Sequence, residues 1–267
     1  MYDFLASFFL WFGQVAPIVL IVGIGYWGYR RDLFSHVLFL ILLSMIVNTA
    51  LKCLFQVPLK PHLNQHEWYA FPSGHMQLAT VLYGRLWWVF RKTKWAQLLL
   101  ILLGGIGWAM IWRNYHDFID VFAGVIAGVG LLLAYAVFTK WPLVRKHPEG
   151  IGFFLLPLTA PLIFLMPSIP QHMAHVWQAQ GGVLGVSLGM IFLKLKKITE
   201  FPLSKGLAGI KAFLGLSVLV LMWSITPFLF GGLGYPLFLL LSFFLLGLWL
   251  SAGPDLIVHL MYRRKRQ

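Results

Sequence analysis

Charge is what this sequence has least of. Only 11% of its 267 residues are charged, and acid is scarcer than base, with 8 Asp and Glu against 21 Lys and Arg. A water-soluble domain of this length cannot cover its surface with so few charges, so that class is excluded. The single cysteine, Cys53, has no intramolecular disulfide partner and says nothing about the redox compartment. The first apolar run has no basic start and is too long for a cleavable signal. No internal repeat is visible, which disfavours an inverted-repeat transporter. No strand pattern leads into the glycine clusters, so they do not belong to a nucleotide fold.

What the chain has instead is apolar bulk: 60% of its residues are hydrophobic, 16% of all residues are aromatic, and the mean hydropathy is +0.80. These values describe an all-α integral membrane protein whose first partner is the lipid bilayer. The net charge of +13 is broken into short clusters between apolar runs, the way topology is encoded, and it does not point to nucleic acid.

A bilayer core about 30 Å thick takes roughly 20 apolar residues per helix. Nine runs near that length predict about nine transmembrane helices, at roughly 5–28, 33–54, 73–90, 95–113, 116–138, 151–167, 181–196, 207–229 and 233–252. Lys and Arg collect in every second connection: at Arg30 and Arg31, at Arg91 to Lys94, at Lys140 to Lys146, around Lys194 to Lys205, and in the tail from Arg263 to Arg266. The expected topology is therefore a single polytopic bundle over 1–267 with the N-terminus outside and the C-terminus cytoplasmic. Glycines repeated every four residues, at Gly124 and Gly128 and at Gly181, Gly185 and Gly189, predict close helix packing.

Three basic residues break the charge rule. Lys52, Lys60 and Arg113 fall on the sparse, extracytoplasmic side, where Ser73, Gly74, His75 and His116 also lie at helix ends. Ionisable groups at a membrane edge are functional candidates by default. Cations gathered near a helix N-terminus, with the backbone N–H groups of Ser73 and Gly74, make a phosphate site. Asp120 lies four residues after His116, so on one helix face its carboxylate can hold one ring nitrogen and leave the other free to attack. His75 is then the natural general acid. Asp120 raises the affinity of His116 for a proton and the cations lower it, and the sequence leaves that sum open.

Other polar features carry less. His62 and His66 followed by Glu67 read as a polar loop, because the glutamate is not placed between the histidines as in zinc proteases. Gln171, His172, His175 and Gln178 read as an outside loop, with contact to a headgroup as the sharper alternative. Trp68, Tyr69 and Trp177 read as interfacial anchors.

These motifs resemble those of the type-2 phosphatidic acid phosphatase superfamily, which includes the glucose-6-phosphatases. Pro72-Ser73-Gly74-His75 matches the family's middle motif in full. The first motif, a lysine, six residues and Arg-Pro, appears here as Lys52, seven residues and Lys60-Pro61. The third, Ser-Arg, five residues, His, three residues and Asp, appears as Trp112-Arg113, two residues, His116, three residues and Asp120. The resemblance covers about the second to the fifth predicted helix, with the catalytic motifs in 50–121, and leaves the helices of 151–252 as additions. It implies His116 as phosphorylated nucleophile, His75 as acid, Asp120 as orienting group, and Lys52, Lys60, Ser73, Gly74 and Arg113 as the phosphate-binding set, with neither metal nor other cofactor. The expected activity is hydrolysis of a lipid phosphomonoester or diphosphate at the extracytoplasmic face. A glucose-6-phosphatase-like sugar phosphatase, a lipid phosphotransferase and a non-catalytic anion-binding or transport protein stand as alternatives.

Overall fold

A computed structural model describes residues 1–63, 69–165, 170–198 and 205–264. His66, Glu67, Trp68, Lys265 and Arg266 lie outside the described residues, as do the side chains of Gln171 and His172. The described residues form eleven α-helices: α1 (Tyr2–Phe12), α2 (Val15–Gly28), α3 (Arg31–Phe55), α4 (Gly74–Phe90), α5 (Trp95–Trp112), α6 (Phe118–Phe138), α7 (Pro142–Lys146), α8 (Ile151–Leu165), α9 (Pro170–Leu195), α10 (Lys205–Phe230) and α11 (Tyr235–Arg264). Each predicted apolar run coincides with a helix, the first with the pair α1 and α2, which bend by 50° at Gly13 and Gln14.

Among the described residues six helices are long and apolar enough to cross a membrane, and the bent pair makes a seventh. The expected nine also counts α4 and α8, whose described lengths are 17 and 15 residues. The outer faces remain greasy. On α10, Phe213, Val220, Trp223 and Phe228 are all exposed, as lipid-facing side chains are. This is an integral membrane protein.

α3 occupies the centre, because it is apolar on more than one face. Val37 and Ile41 join Tyr26, Leu82, Tyr83, Ile106 and Met110 in one buried cluster, while Phe39, Leu40 and Ile46 join Val81, Leu131, Ile151 and Val183 in a second. Small residues set the closest approaches. A Cβ at Gly124 would lie 2.8 Å from the Ser73 carbonyl oxygen, and one at Gly128 would lie 2.6 Å from Thr80 Cβ, so α6 meets α4 almost backbone to backbone. Gly181 and Gly185 similarly seat α9 on the carbonyls of Leu240 and Phe244 in α11.

Two helix starts differ from expectation. α9 begins at Pro170, not near 181, so the stretch read as an outside loop is helical. The reason is packing: Met173 and Val176 are buried against Cys53, with Ala50 and Trp177 around them. α6 begins at Phe118 rather than His116, because Asp117 serves as its N-cap. In the C-terminal half, Lys211 Nζ bonds Asp255 Oδ1 at 2.6 Å, and Arg31 lies 3.8 Å from the other carboxylate oxygen. This triplet, with Lys211 and Asp255 buried and Arg31 half-buried, ties α10 and α11 to the start of α3.

Candidate active site

Three helix ends and one turn build the site. α3 closes at Gln56, which adopts φ 52° and donates its backbone N–H to the Lys52 carbonyl at 2.9 Å. The helix is thus finished before the extra residue between Lys52 and Lys60, so that residue lengthens a loop and does not rotate Lys52. The Lys52 ammonium turns onto the carbonyls of Tyr69 and Ala70.

At the start of α4, Ser73 is the N-cap, and its hydroxyl accepts from Met76 N at 3.4 Å. Gly74 and His75 follow as the first two helical residues, whose N–H groups have no acceptor within the helix. The Ser73 N–H, expected to face phosphate, instead donates to the Asp120 carbonyl at 3.0 Å and fastens the α4 turn to α6. A buried amide ladder supports the turn from below. Asn48 Nδ2 donates to Pro72 O and to Gln77 Oε1, and Gln77 Nε2 donates to the carbonyl and hydroxyl of Ser44. Asn48 Oδ1 would be 2.7 Å from a Cβ at position 74, so this motif needs glycine for space.

His116 precedes α6, so its contact with Asp120 does not arise from a shared helix face. Asp117 and Asp120 form a capping box in which Asp120 Oδ2 accepts from Asp117 N at 3.1 Å. The same oxygen meets His116 Nδ1 at 3.3 Å. Both side chains are buried, while His116 Nε2 is neither fully enclosed nor hydrogen-bonded among the described residues. With Nδ1 donating to the carboxylate, the lone pair resides on Nε2.

Burial is the strongest influence on the His116 pKa and lowers it. The Lys52 charge acts in the same direction and Lys60 adds to it, against the raising effect of Asp120. The sum is a lowered pKa, so the ring is neutral at pH 7. If His116 is the group that must be unprotonated, activity is retained as the pH falls through the ordinary histidine value of 6.5. The acid limb of kcat/KM, corrected for substrate ionisation, is then expected to have its midpoint below that value, in a profile measured from pH 4 to 8.

His75 is exposed, and its electrostatic neighbours are His116, Lys52 and His175. His116 and Asp120 are therefore in contact, Lys52 and His75 lie within electrostatic range of His116, and His175 of α9 lies within that range of His75. Sequence reasoning placed His175 in a wet loop. The period of Met173, Val176 and Ala179 was the available signal that this segment is an amphipathic helix start.

Lys60 also reaches the third motif, pairing with Asp117 Oδ1 at 2.7 Å and with the Asn114 side-chain oxygen. Arg113 is held elsewhere. Its guanidinium bonds the Asp3 carbonyl at 3.0 Å and Ser7 Oγ at 2.8 Å, and it lies 3.5 Å from the Asp3 carboxylate. These α1 partners were not anticipated, because nothing in the sequence indicates that α1 packs beside the end of α5.

Comparison with known proteins gives one match, and it falls on the segment that builds this site. Residues 33–143 match the family model described as PAP2 superfamily. No curated protein and no solved structure matches the chain.

Proposed function

From the premise that residues 33–143 belong to the PAP2 superfamily, whose membership points to phosphatase-type activity, we propose that the protein hydrolyses a lipid phosphomonoester or diphosphate through a phosphohistidine at His116. The observation that carries this reading is the pairing of His116 Nδ1 with the buried Asp120 carboxylate, which leaves Nε2 open on a ring within electrostatic range of His75, Lys52 and Lys60.

In the proposed first step, Nε2 of neutral His116 attacks phosphorus and the bond to the leaving oxygen breaks. Protonated His75 donates its proton to that oxygen. A phosphate dianion among Lys52, Lys60 and His175 favours this protonated form of His75. The imidazolium formed at His116 is stabilised by Asp120 through Nδ1. In the second step, neutral His75 takes a proton from water, whose oxygen attacks phosphorus. The N–P bond breaks, phosphate leaves and His116 returns to its neutral state. The N–H groups of Gly74 and His75 and the ammonium groups of Lys52 and Lys60 are oriented donors for the phosphoryl oxygens. Arg113 joins this set in the reading only if substrate draws it from Asp3.

The lipid class is favoured by the rim. Leu54, Phe55, Phe118, Ile119 and Phe122 are all exposed around the ends of α3 and α6, so an apolar tail can stay in the bilayer while its phosphate meets His116. The decisive assay is phosphate release by purified protein from lipid diphosphate, lipid monophosphate and hexose phosphate. Lipid substrates are expected to be preferred, with inhibition by vanadate, a mimic of five-coordinate phosphorus. Equal, slow release from every substrate by wild type and His116→Ala rejects the enzyme reading, and preference for hexose phosphate rejects the lipid reading.

The scarcity of Lys and Arg in the other connections on the site's side, against their clustering in the alternate connections, supports an extracytoplasmic site and a cytoplasmic C-terminus. A cysteine substituted at His175, in a background with Cys53→Ser, is expected to react with an impermeant maleimide in intact cells. Reaction only after permeabilisation reverses the orientation.

A further inference from the structure

The helices that hold the site at one end carry a second group of polar side chains at the other. His36 lies five residues into α3, Arg85 five residues before the end of α4, and Tyr135 three residues before the end of α6. Arg85 follows Val81 by one helical turn, and Val81 is fully buried in the cluster that contains Phe39, Leu40, Leu131 and Tyr135. The arginine is therefore directed between α3 and α6, and its Nε is buried with no hydrogen-bond partner among the described residues.

His36 Nδ1 lies 2.9 Å from the Tyr135 hydroxyl, and the charge of Arg85 is close enough to act on both. The acid whose charge acts on His36 is Asp32, one turn away, and it is engaged by Arg30 at 2.9 Å. No described carboxylate pairs with Arg85. A guanidinium remains charged at every accessible pH, and an uncompensated charge inside a membrane bundle is costly to retain.

We propose that Arg85, His36 and Tyr135 form a second phosphate-binding site, at the end of the bundle opposite His116, which takes the phosphate of an anionic phospholipid in the facing leaflet. The planar guanidinium grips two phosphate oxygens, while the tyrosine hydroxyl or the histidine ring supplies a third donor. The position suits a headgroup. From Arg85 to the end of α4 is about 7 Å at 1.5 Å per residue, within the reach of an extended arginine side chain. Arg91, stacked on Trp88 at 4.5 Å, and Lys92 lie beyond it and give that end of α4 a positive approach. A soluble phosphate offers the same chemistry, and competition separates the two sources. The site does not depend on the hydrolytic reading, since none of its residues belongs to the catalytic group.

The test uses the purified full-length protein, with retained phosphatidylglycerol and phosphatidylcholine counted by native mass spectrometry across a titration. Wild type is expected to bind phosphatidylglycerol at least tenfold more tightly than phosphatidylcholine. Arg85→Gln is expected to abolish that preference, while Lys146→Gln, at the same end of the molecule, changes it less than twofold. Tyr135→Phe keeps the ring and its packing and is expected to weaken binding about threefold, which gives a readout even if Arg85→Gln does not fold. Excess inorganic phosphate that leaves the lipid bound marks a headgroup site. Displacement by phosphate, with loss in Arg85→Gln, marks a free-phosphate site and overturns the lipid assignment. Unchanged preference in folded Arg85→Gln, or in Tyr135→Phe where that is the variant obtained, overturns the site.

Discussion

His116→Ala is expected to lower phosphate release by roughly 10⁴-fold or to the limit of detection, while His75→Asn shows a loss that depends on the leaving group. Removing a nucleophile eliminates the covalent route for every substrate. Removing a general acid costs roughly 10²–10⁴-fold where the leaving oxygen is a poor one, as in an alkyl phosphate. For a nitrophenyl phosphate, whose leaving group departs without a proton, the first step in His75→Asn is expected to survive. The second step then slows, because water loses its base, and the phosphoenzyme accumulates. Rapid quenching with radiolabelled substrate should recover an acid-labile, alkali-stable label on His75→Asn and none on His116→Ala. A label retained by His116→Ala refutes the assignment of nucleophile, and equal losses in kcat/KM for both leaving groups in His75→Asn, a parameter that reports the first step alone, refute the assignment of acid.

The second large effect concerns the fold. Asp255→Leu is expected to destabilise the protein by about 3–5 kcal/mol, because it leaves Lys211 charged, 7% exposed and without its carboxylate. Adding Lys211→Met to the same chain is expected to recover most of that loss. The apolar pair removes the desolvation penalty along with the attraction, and replacing a buried ion pair with apolar groups of similar size is often near neutral. Thermal melting of the three variants in one detergent measures the coupling as a double-mutant cycle. Recovery in the double variant identifies the pair as structural. If the single variant melts like wild type, the pair does not hold α10 to α11.

The glycines show how far packing was legible from sequence. Gly124 and Gly128 were read as a close-approach stripe from their four-residue interval alone, and the structure gives the partner, since any Cβ there would strike Ser73 or Thr80 of α4. His175 shows the opposite case. Its segment carries histidine and glutamine, the composition of a loop, yet Met173 and Val176 are buried against Cys53, and the helix they start brings an imidazole to the site from outside the family segment. Composition reports how polar a stretch is, and it does not report which apolar neighbour will cover the remainder.

By itself the sequence determined the apolar runs, their helical character and the order of the motifs, because hydropathy acts over a single span. It also identified His75, His116 and Asp120 as the residues to examine. Tertiary structure decided how they are held. The contact between His116 and Asp120 follows from a capping box ahead of α6, not from a helix face, and Lys60 is paired with Asp117 while Arg113 is drawn to Asp3 and Ser7. The sign of the His116 shift was decided there as well, since it is a sum of burial and of charges from α3 and the following loop. Such sums depend on distances between residues far apart in the chain, and those distances exist only once α3, α4 and α6 have packed.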